Sequence, residues 1–291
     1  ESVVATMRQQ QVRTDTLEAV FREPIRFGEP KQAAKPEIDA IACRGRVLVE
    51  GREFEGTEQT STERIEVSDL TINRVSGAIR ALGPGRVLSI RRQSAQMPPL
   101  VPGALAPPQP NADPGKPLVY LDIRFQRELT GNLQNRQMVF HEQVRTAYVP
   151  VDTWDTVVDV ENPDSFGPQG VEVRCDRLAA TQLPVTGSQA FAWTLDASGN
   201  ARAEGQTFST QAARITYDQA KGLLVLEGDG RSDATLYLQE HPGQRRIQQQ
   251  SRRILFWPAT KRFSLEGFRS LEIPNLPAGG KPAPNPSAPR K

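Results

Sequence analysis

The segment Arg214–Gly230, "RITYDQAKGLLVLEGDG", decides the fold because the chain repeats its pattern twice more. Laid over it without gaps, Asp69–Gly85 ("DLTINRVSGAIRALGPG") and Arg253–Phe268 ("RILFWPATKRFSLEGF") agree in the spacing of apolar, turn and glycine positions. In each copy, apolar residues alternate with polar ones on both sides of a short polar connector. Alternation of this kind is typical of two half-buried strands joined by a turn. The pattern therefore predicts a strand-hairpin unit that is used repeatedly.

The alternating positions of the three copies predict one apolar face for each hairpin. Because successive side chains of a strand point to opposite sides, residues two apart share a face. One isolated hairpin is marginal in water, so we expect several units to pool their faces into a continuous interior. The predicted inward residues are Leu70, Ile72, Ile79, Ile215, Tyr217, Leu224, Leu226, Ile254, Phe256, Phe263 and Leu265.

The connectors have the residue types of hairpin turns. Asp218 and Asn73 begin the first two connectors, and their side chains can accept a hydrogen bond from the backbone of the turn. Gly222 and Gly77 stand where a left-handed residue is needed. The third connector differs, since Lys261 takes the place of this glycine.

Composition favours an all-β chain and excludes several functional classes. The 291 residues include 24 prolines and 22 glycines, which suits short strands joined by many turns. The net charge of +2 comes from interspersed charges and gives no nucleic-acid footprint. No apolar run approaches the roughly 20 residues of a membrane-spanning helix. The chain opens "ESVVATM", which we interpret as a mature form or an excised segment whose export signal has been removed.

Two proline-rich stretches divide the chain. Residues 95–117 are expected to be a linker or long loop, and residues 274–291 a disordered basic tail. We therefore predict a first repeat module at 37–94 and a second module at 118–273. Residues 1–36 are expected to hold strands that belong to a truncated preceding unit. The sequence leaves open whether the two modules form one continuous fold or two.

The repeat resembles the OstA-like unit of the lipopolysaccharide-transport family. The match is carried in the second module by Gly199-Asn200, Gly205, Ala212–Asp218, Leu224, Leu226 and Gly228. It is carried in the first module by Gly45, Gly51, Leu70, Asn73, Gly77 and Gly83. These matches cover roughly residues 40–88 and 195–270.

The resemblance implies a β-jellyroll, a folded "taco" of two antiparallel sheets whose apolar interior receives lipid acyl chains. It also implies a periplasmic or outer-membrane-associated protein that handles a glycolipid such as lipopolysaccharide. Its partners would be other β-jellyroll proteins, or copies of itself, joined end to end by strand pairing. The same inward residues would fill the core of any closed β-sandwich, so the residues themselves leave core filling and groove lining open.

The residues that carry covalent chemistry are scarce, so we expect a non-enzymatic protein without metal or cofactor. The two histidines, His141 and His241, lie in no nucleophile or metal-ligand pattern. Cys43 and Cys175 fit two buried thiols or a single disulfide. Two alternatives stay open: a structural envelope scaffold, and a polysaccharide-active enzyme that uses the carboxylates between Asp152 and Glu161.

Overall fold

The structure is a computed structural model that describes residues 3–7, 9–23, 37–92, 118–184, 191–239, 246–257, 260 and 262–271. In these residues the fold is all-β, as predicted. Seventeen strands form one antiparallel sheet, and the helical content of the described chain is limited to a 3-10 turn at Pro163–Phe166 and 3-10 geometry at Thr260. The linker predicted at 95–117 and the tail predicted at 274–291 lie outside the described residues.

The strands follow one another along the chain with few long connections. They are β1 (Val3–Met7), β2 (Gln10–Thr14), β3 (Thr16–Phe21), β4 (Ile38–Glu55), β5 (Glu58–Asn73), β6 (Ala78–Leu82), β7 (Gly85–Arg92), β8 (Leu118–Phe125), β9 (Glu128–Asn132), β10 (Gln137–Val151), β11 (Val171–Pro184), β12 (Phe191–Gly205), β13 (Phe208–Asp218), β14 (Leu223–Glu227), β15 (Ala234–Leu238), β16 (Ile247–Trp257) and β17 (Arg262–Leu271).

Three of the long strands contain a left-handed pair of residues at the same level of the sheet. The pairs are Gly45-Arg46 in β4, Glu142-Gln143 in β10 and Gly199-Asn200 in β12. At each pair the ladder to a neighbouring strand shifts its register. Two successive left-handed residues interrupt the extended backbone, so each pair forms a bulge at which the strand bends.

The neighbouring strands are interrupted at the same level. The chain breaks at Asp15 between β2 and β3, and at 126–127 between β8 and β9. Backbone hydrogen bonds connect these breaks to the bends, since Asp15 N donates to Gly45 O and Gln126 N donates to Glu142 O. The bends and breaks together form a fold line across the sheet. It separates half A, which contains β3, β6, β9 and β14, from half B, which contains β2, β7, β8 and β15.

An uninterrupted row of apolar side chains runs along half A beside the fold line. Each member is the direct register partner of the next, and each comes from a different strand. At the spacing of neighbouring strands, the row is roughly 50 Å long. Its members are Leu17, Cys43, Leu70, Ala81, Leu129, Phe140, Leu178, Ala197, Ile215, Leu226, Ile254 and Leu265.

Half B presents a matching row on the same side of the sheet. Members such as Val173, Ala203 and Leu236 lie in one hydrophobic cluster with the row of half A. Contact across the fold line is direct, since the rings of Phe125 in half B and Phe140 in half A have centroids 5.6 Å apart. The interior therefore lies between the two halves of one bent sheet.

The two predicted modules belong to this one sheet. The first module ends with β6 and β7, which pair with β9 and β8 of the second module. The N-terminal strands β2 and β3 both pair with β4, so they extend the first module.

The predicted hairpin turns have the expected chemistry. Gly77 and Gly222 have φ angles of 74° and 56°. The Asn73 carboxamide oxygen accepts a hydrogen bond from Ser76 N at 2.9 Å, and Asp218 Oδ1 accepts one from Lys221 N at 3.2 Å. The position of Lys261 in the third turn lies outside the described residues.

Candidate functional site

A cavity of about 200 Å³ lies between the two halves of the sheet. Both walls come from the inward rows. Leu195 and Ala203 line the same cavity although they are eight residues apart on β12. A straight strand would separate them by about 26 Å. The bend at Gly199-Asn200 lies between the two residues, and both face the one cavity.

The walls of the cavity are almost entirely hydrocarbon. The contributors from half A are Met138, Phe140, Leu178, Ala180, Trp193, Leu195, Ala197, Ile215, Tyr217 and Leu224. The apolar contributors from half B are Ile65, Val87, Leu121, Ile123, Val173 and Ala203. Such a surface repels water and accepts an apolar guest.

Three hydroxyl side chains interrupt this surface, those of Ser89, Thr146 and Tyr217. Burial raises the pKa of the Tyr217 phenol, with a smaller contribution from the charge of Asp218. The phenol is therefore neutral throughout the physiological range. Thr146 is 6% exposed, and its Oγ1 has no hydrogen-bond partner in the described part of the chain. An unpaired buried hydroxyl costs about 1–3 kcal/mol, which a polar group on a guest would recover.

One end of the cavity reaches the protein surface. Met138 is 37% exposed there. Polar side chains of half B also line the cavity: Arg91 Nη2 donates to Glu63 Oε1 and to Ser89 Oγ, each at 3.0 Å. The site thus combines an apolar interior with hydrogen-bonding, charged side chains, which is the polarity profile of an amphiphile.

The eleven predicted inward residues all share the inner face of half A, because together with Ala81 they form six direct cross-strand pairs. The pairs are Leu70 with Ala81, Ile72 with Ile79, Ile215 with Leu226, Tyr217 with Leu224, Ile254 with Leu265, and Phe256 with Phe263. Strands β14 and β16 also pair, which joins the first and third copies of the repeat into one surface.

These residues differ in how close they lie to the cavity. Ile215, Tyr217 and Leu224 line it. Leu70, Leu226, Ile254 and Phe256 are buried in the surrounding core, and Ile72, Ile79 and Leu265 pack at its margin. Phe263 is 40% exposed. It lies on β17, the last described strand, which has a neighbouring strand on one side only. Contact of these side chains with lipid stays a prediction.

Most of the cavity wall comes from residues that the repeat did not indicate. Trp193 and Leu195 in β12, and Ile123 in β8, belong to the part of the chain where the repeat is weakest. Alternation in "LVYLDIRF" (Leu118–Phe125) shows which residues share a face with Ile123, but it does not show whether that face points inward or outward. The choice depends on register partners more than 20 residues away.

The acidic segment from Asp152 to Glu161 lies outside the cavity. Hydrogen bonding to Arg145, followed by its charge and that of Arg124, lowers the pKa of Glu161. A general acid of the polysaccharide-active alternative needs a raised pKa, so Glu161 does not fit that role. No group of three or more His, Cys, Asp and Glu side chains is arranged to hold a metal ion in the described ranges.

Cys43 and Cys175 are both buried free thiols, which is the first of the two states expected for them. Among the described residues, no helix has the length and hydropathy needed to cross a bilayer. No protein-family model matches this chain, and no curated protein matches it in sequence.

Proposed function

We propose that this protein is a non-enzymatic carrier that shelters the acyl chains of a glycolipid between the two halves of its folded sheet. The observation that carries the proposal is the cavity of about 200 Å³, whose walls are apolar on both sides and whose one end reaches the surface. We further infer that the folded sheet is an OstA-like β-jellyroll. The bends at the Gly-Arg and Gly-Asn pairs, where the sequence resembles that family, support this inference.

The size of the cavity suits part of a hydrocarbon chain. An engineered apolar cavity of about 150 Å³ stays dry and binds benzene, so a slightly larger one can hold a short run of methylenes. Each methylene removed from water contributes about 0.8 kcal/mol. Burial of about six to eight methylenes would therefore stabilise the complex by roughly 5–6 kcal/mol, before the cost of ordering the chain.

The free edges of the sheet support the proposed end-to-end assembly. Within the described residues, β1 pairs with β2 alone and β17 pairs with β16 alone. Each therefore leaves one side of its backbone without a ladder. Extended segments of a similar protein, or of a second copy, can pair with such edges. Together with the resemblance, these edges support our proposal that the protein acts in the cell envelope, in the periplasm or at the outer membrane.

Site-specific photo-crosslinking tests the proposal. A benzophenone amino acid replaces Tyr217 or Leu195 in the cavity wall, and the full chain is incubated with a radiolabelled lipid A-type glycolipid. We expect crosslinks from both positions and their loss when unlabelled lipid competes. Position 216 is the matched control, because Thr216 lies on the same strand and points to the other face.

Two outcomes count against the carrier. Equal labelling at 216 and 217 would mean that the lipid adheres to the surface without entering the cavity. No labelling at 217 or 195, under conditions that label a known carrier, would favour the scaffold alternative.

A further inference from the structure

The segment between β10 and β11 packs on the outer face of half B, where it builds a second core. Val160 and Phe166 are 3% and 4% exposed and lie in a cluster with Ile90, Tyr120 and Val149. These partners stand on β7, β8 and β10 and point away from the inner cavity. The segment is therefore held against the sheet along its length.

Polar contacts fix the same segment. Glu161 forms ion pairs with Arg124 and Arg145, and Arg145 Nη2 donates to Val160 O at 2.6 Å. Trp154 packs at the edge of the second core with the Arg92 guanidinium 5.8 Å from its ring centre. Residues 154–157 lie beside this fixed part of the segment and form a wall on the outer face.

This wall borders an open cleft of about 760 Å³, whose lining has only Glu63 in common with the inner cavity. Its floor is the outer face of β4, β5 and β7, and its far side is the turn between β1 and β2. Two apolar side chains stand at the rims without cover: Val157 is 91% exposed and Phe54 is 43% exposed. The volume lies within the usual range of small-ligand sites.

The cleft carries hydrogen-bonding side chains that the rest of the described chain leaves unused. The side chains of Gln9, Gln10, Arg52 and Asp155 line the cleft, are exposed, and have no hydrogen bond or ion pair to another described side chain. Arg64 is already paired with Glu50.

The charges of the lining nearly balance. They are three carboxylates, from Glu50, Glu63 and Asp155, and two guanidiniums, from Arg52 and Arg64. A cleft of this kind does not select strongly for an anion or a cation.

We propose that this outer cleft binds a neutral oligosaccharide. A sugar ring has an apolar C–H face, which Trp154 and the exposed Val157 and Phe54 can cover. Its hydroxyls can form hydrogen bonds with the free amide, carboxylate and guanidinium groups of the cleft. The backbone groups of the floor are engaged in the ladders between β4, β5 and β7. An extended peptide therefore finds no strand to pair with there, and recognition is left to side chains.

Affinity electrophoresis of the full chain tests this site. Native gels contain dextran, galactomannan or xylan as the probe, and retardation at several probe concentrations gives the dissociation constant. We expect retardation by at least one of the three. The double variant Arg52→Ala/Gln10→Ala should raise that dissociation constant at least ten-fold, since two hydrogen bonds of about 1 kcal/mol each are lost.

The matched control is Arg202→Ala/Gln211→Ala, which removes the same side-chain types from exposed positions that are register partners on the outer face. It should bind like the unaltered protein. Failure of all three polysaccharides to retard the protein would overturn the proposal, and so would equal retardation of both double variants. Because these substitutions lie outside the inner cavity, the lipid crosslinks from position 217 test the carrier function separately.

Discussion

Replacement of Gly199 by alanine tests whether the bends create the interior. Gly199 has a φ of 77°, and a Cβ built on it would lie 2.5 Å from Asp176 Oδ2 and 2.7 Å from Asp176 Cβ. The left-handed conformation costs an alanine about 1–2 kcal/mol. Displacement of Asp176, whose carboxylate accepts a hydrogen bond from Asn200 Nδ2 at 3.2 Å, adds about 1–3 kcal/mol. We expect a total loss of about 2–5 kcal/mol in the free energy of unfolding.

The strain and the collision can be separated by a second glycine. Gly222 also has a positive φ, of 56°, but a Cβ there would meet no atom within 4 Å. Gly222→Ala should therefore cost about 1 kcal/mol, from backbone strain alone. Urea unfolding followed by tryptophan fluorescence measures both variants against the unaltered chain. If Gly199→Ala is no more destabilising than Gly222→Ala, the close contact at the bend does not exist and the reasoning fails.

Three further predictions concern single side chains. Glu142 has a φ of 69° in the bend that lacks a glycine, so Glu142→Gly should raise the free energy of unfolding by up to about 1 kcal/mol; a loss of stability in urea would contradict this. Burial raises the pKa of the Cys175 thiol to about 12, so Ellman's reagent at pH 8 should modify it only after unfolding, and rapid reaction of the native protein would refute its burial. Arg145 and Arg124 lower the pKa of Glu161 in the folded state. The Glu161 carboxylate therefore stabilises the fold above its unfolded-state pKa of about 4.3, and this stabilisation is lost as the pH falls through the folded-state pKa. Glu161→Gln should therefore destabilise at pH 7 but not in strong acid, and a pH-independent difference would argue against the ion pairs.

The local parts of the fold were predictable because they depend on neighbours in sequence. The alternation of residues along each strand indicates which side chains share a face, and the turn chemistry of Asn73 and Asp218 indicates where each hairpin reverses. The observed cross-strand pairs have the predicted faces. The repeat also marked the bend at Gly199-Asn200 as a point of resemblance. It gave no signal for the equivalent bend at Glu142-Gln143. There two residues other than glycine adopt the left-handed conformation, which such residues disfavour.

The long-range parts were not predictable from the alternation. Whether Ile123 faces inward is decided by its register partners Val87 and Thr146, which other strands supply. The packing of Val160 and Phe166 on the outer face is likewise set by residues far away in the chain. The sequence of a short apolar segment in a loop-like region does not indicate which surface the segment covers.

The unequal covering of the two halves suggests how a guest would enter. Half B is buried on both faces where β7, β8 and β10 lie under the second core. There Asp122 is 1% exposed and is held by the Arg86 guanidinium through a fork whose Nη2 contact is 2.7 Å. Breaking a buried ion pair of this kind is expensive, so half B resists deformation.

Half A has no comparable second layer among the described residues, and its rim carries the exposed Met138. Methionine adapts its shape at little cost, as binding surfaces that accept varied apolar guests require. If the inner cavity receives a hydrocarbon chain, as we propose, we therefore expect half A to be the wall that yields and half B to keep its shape.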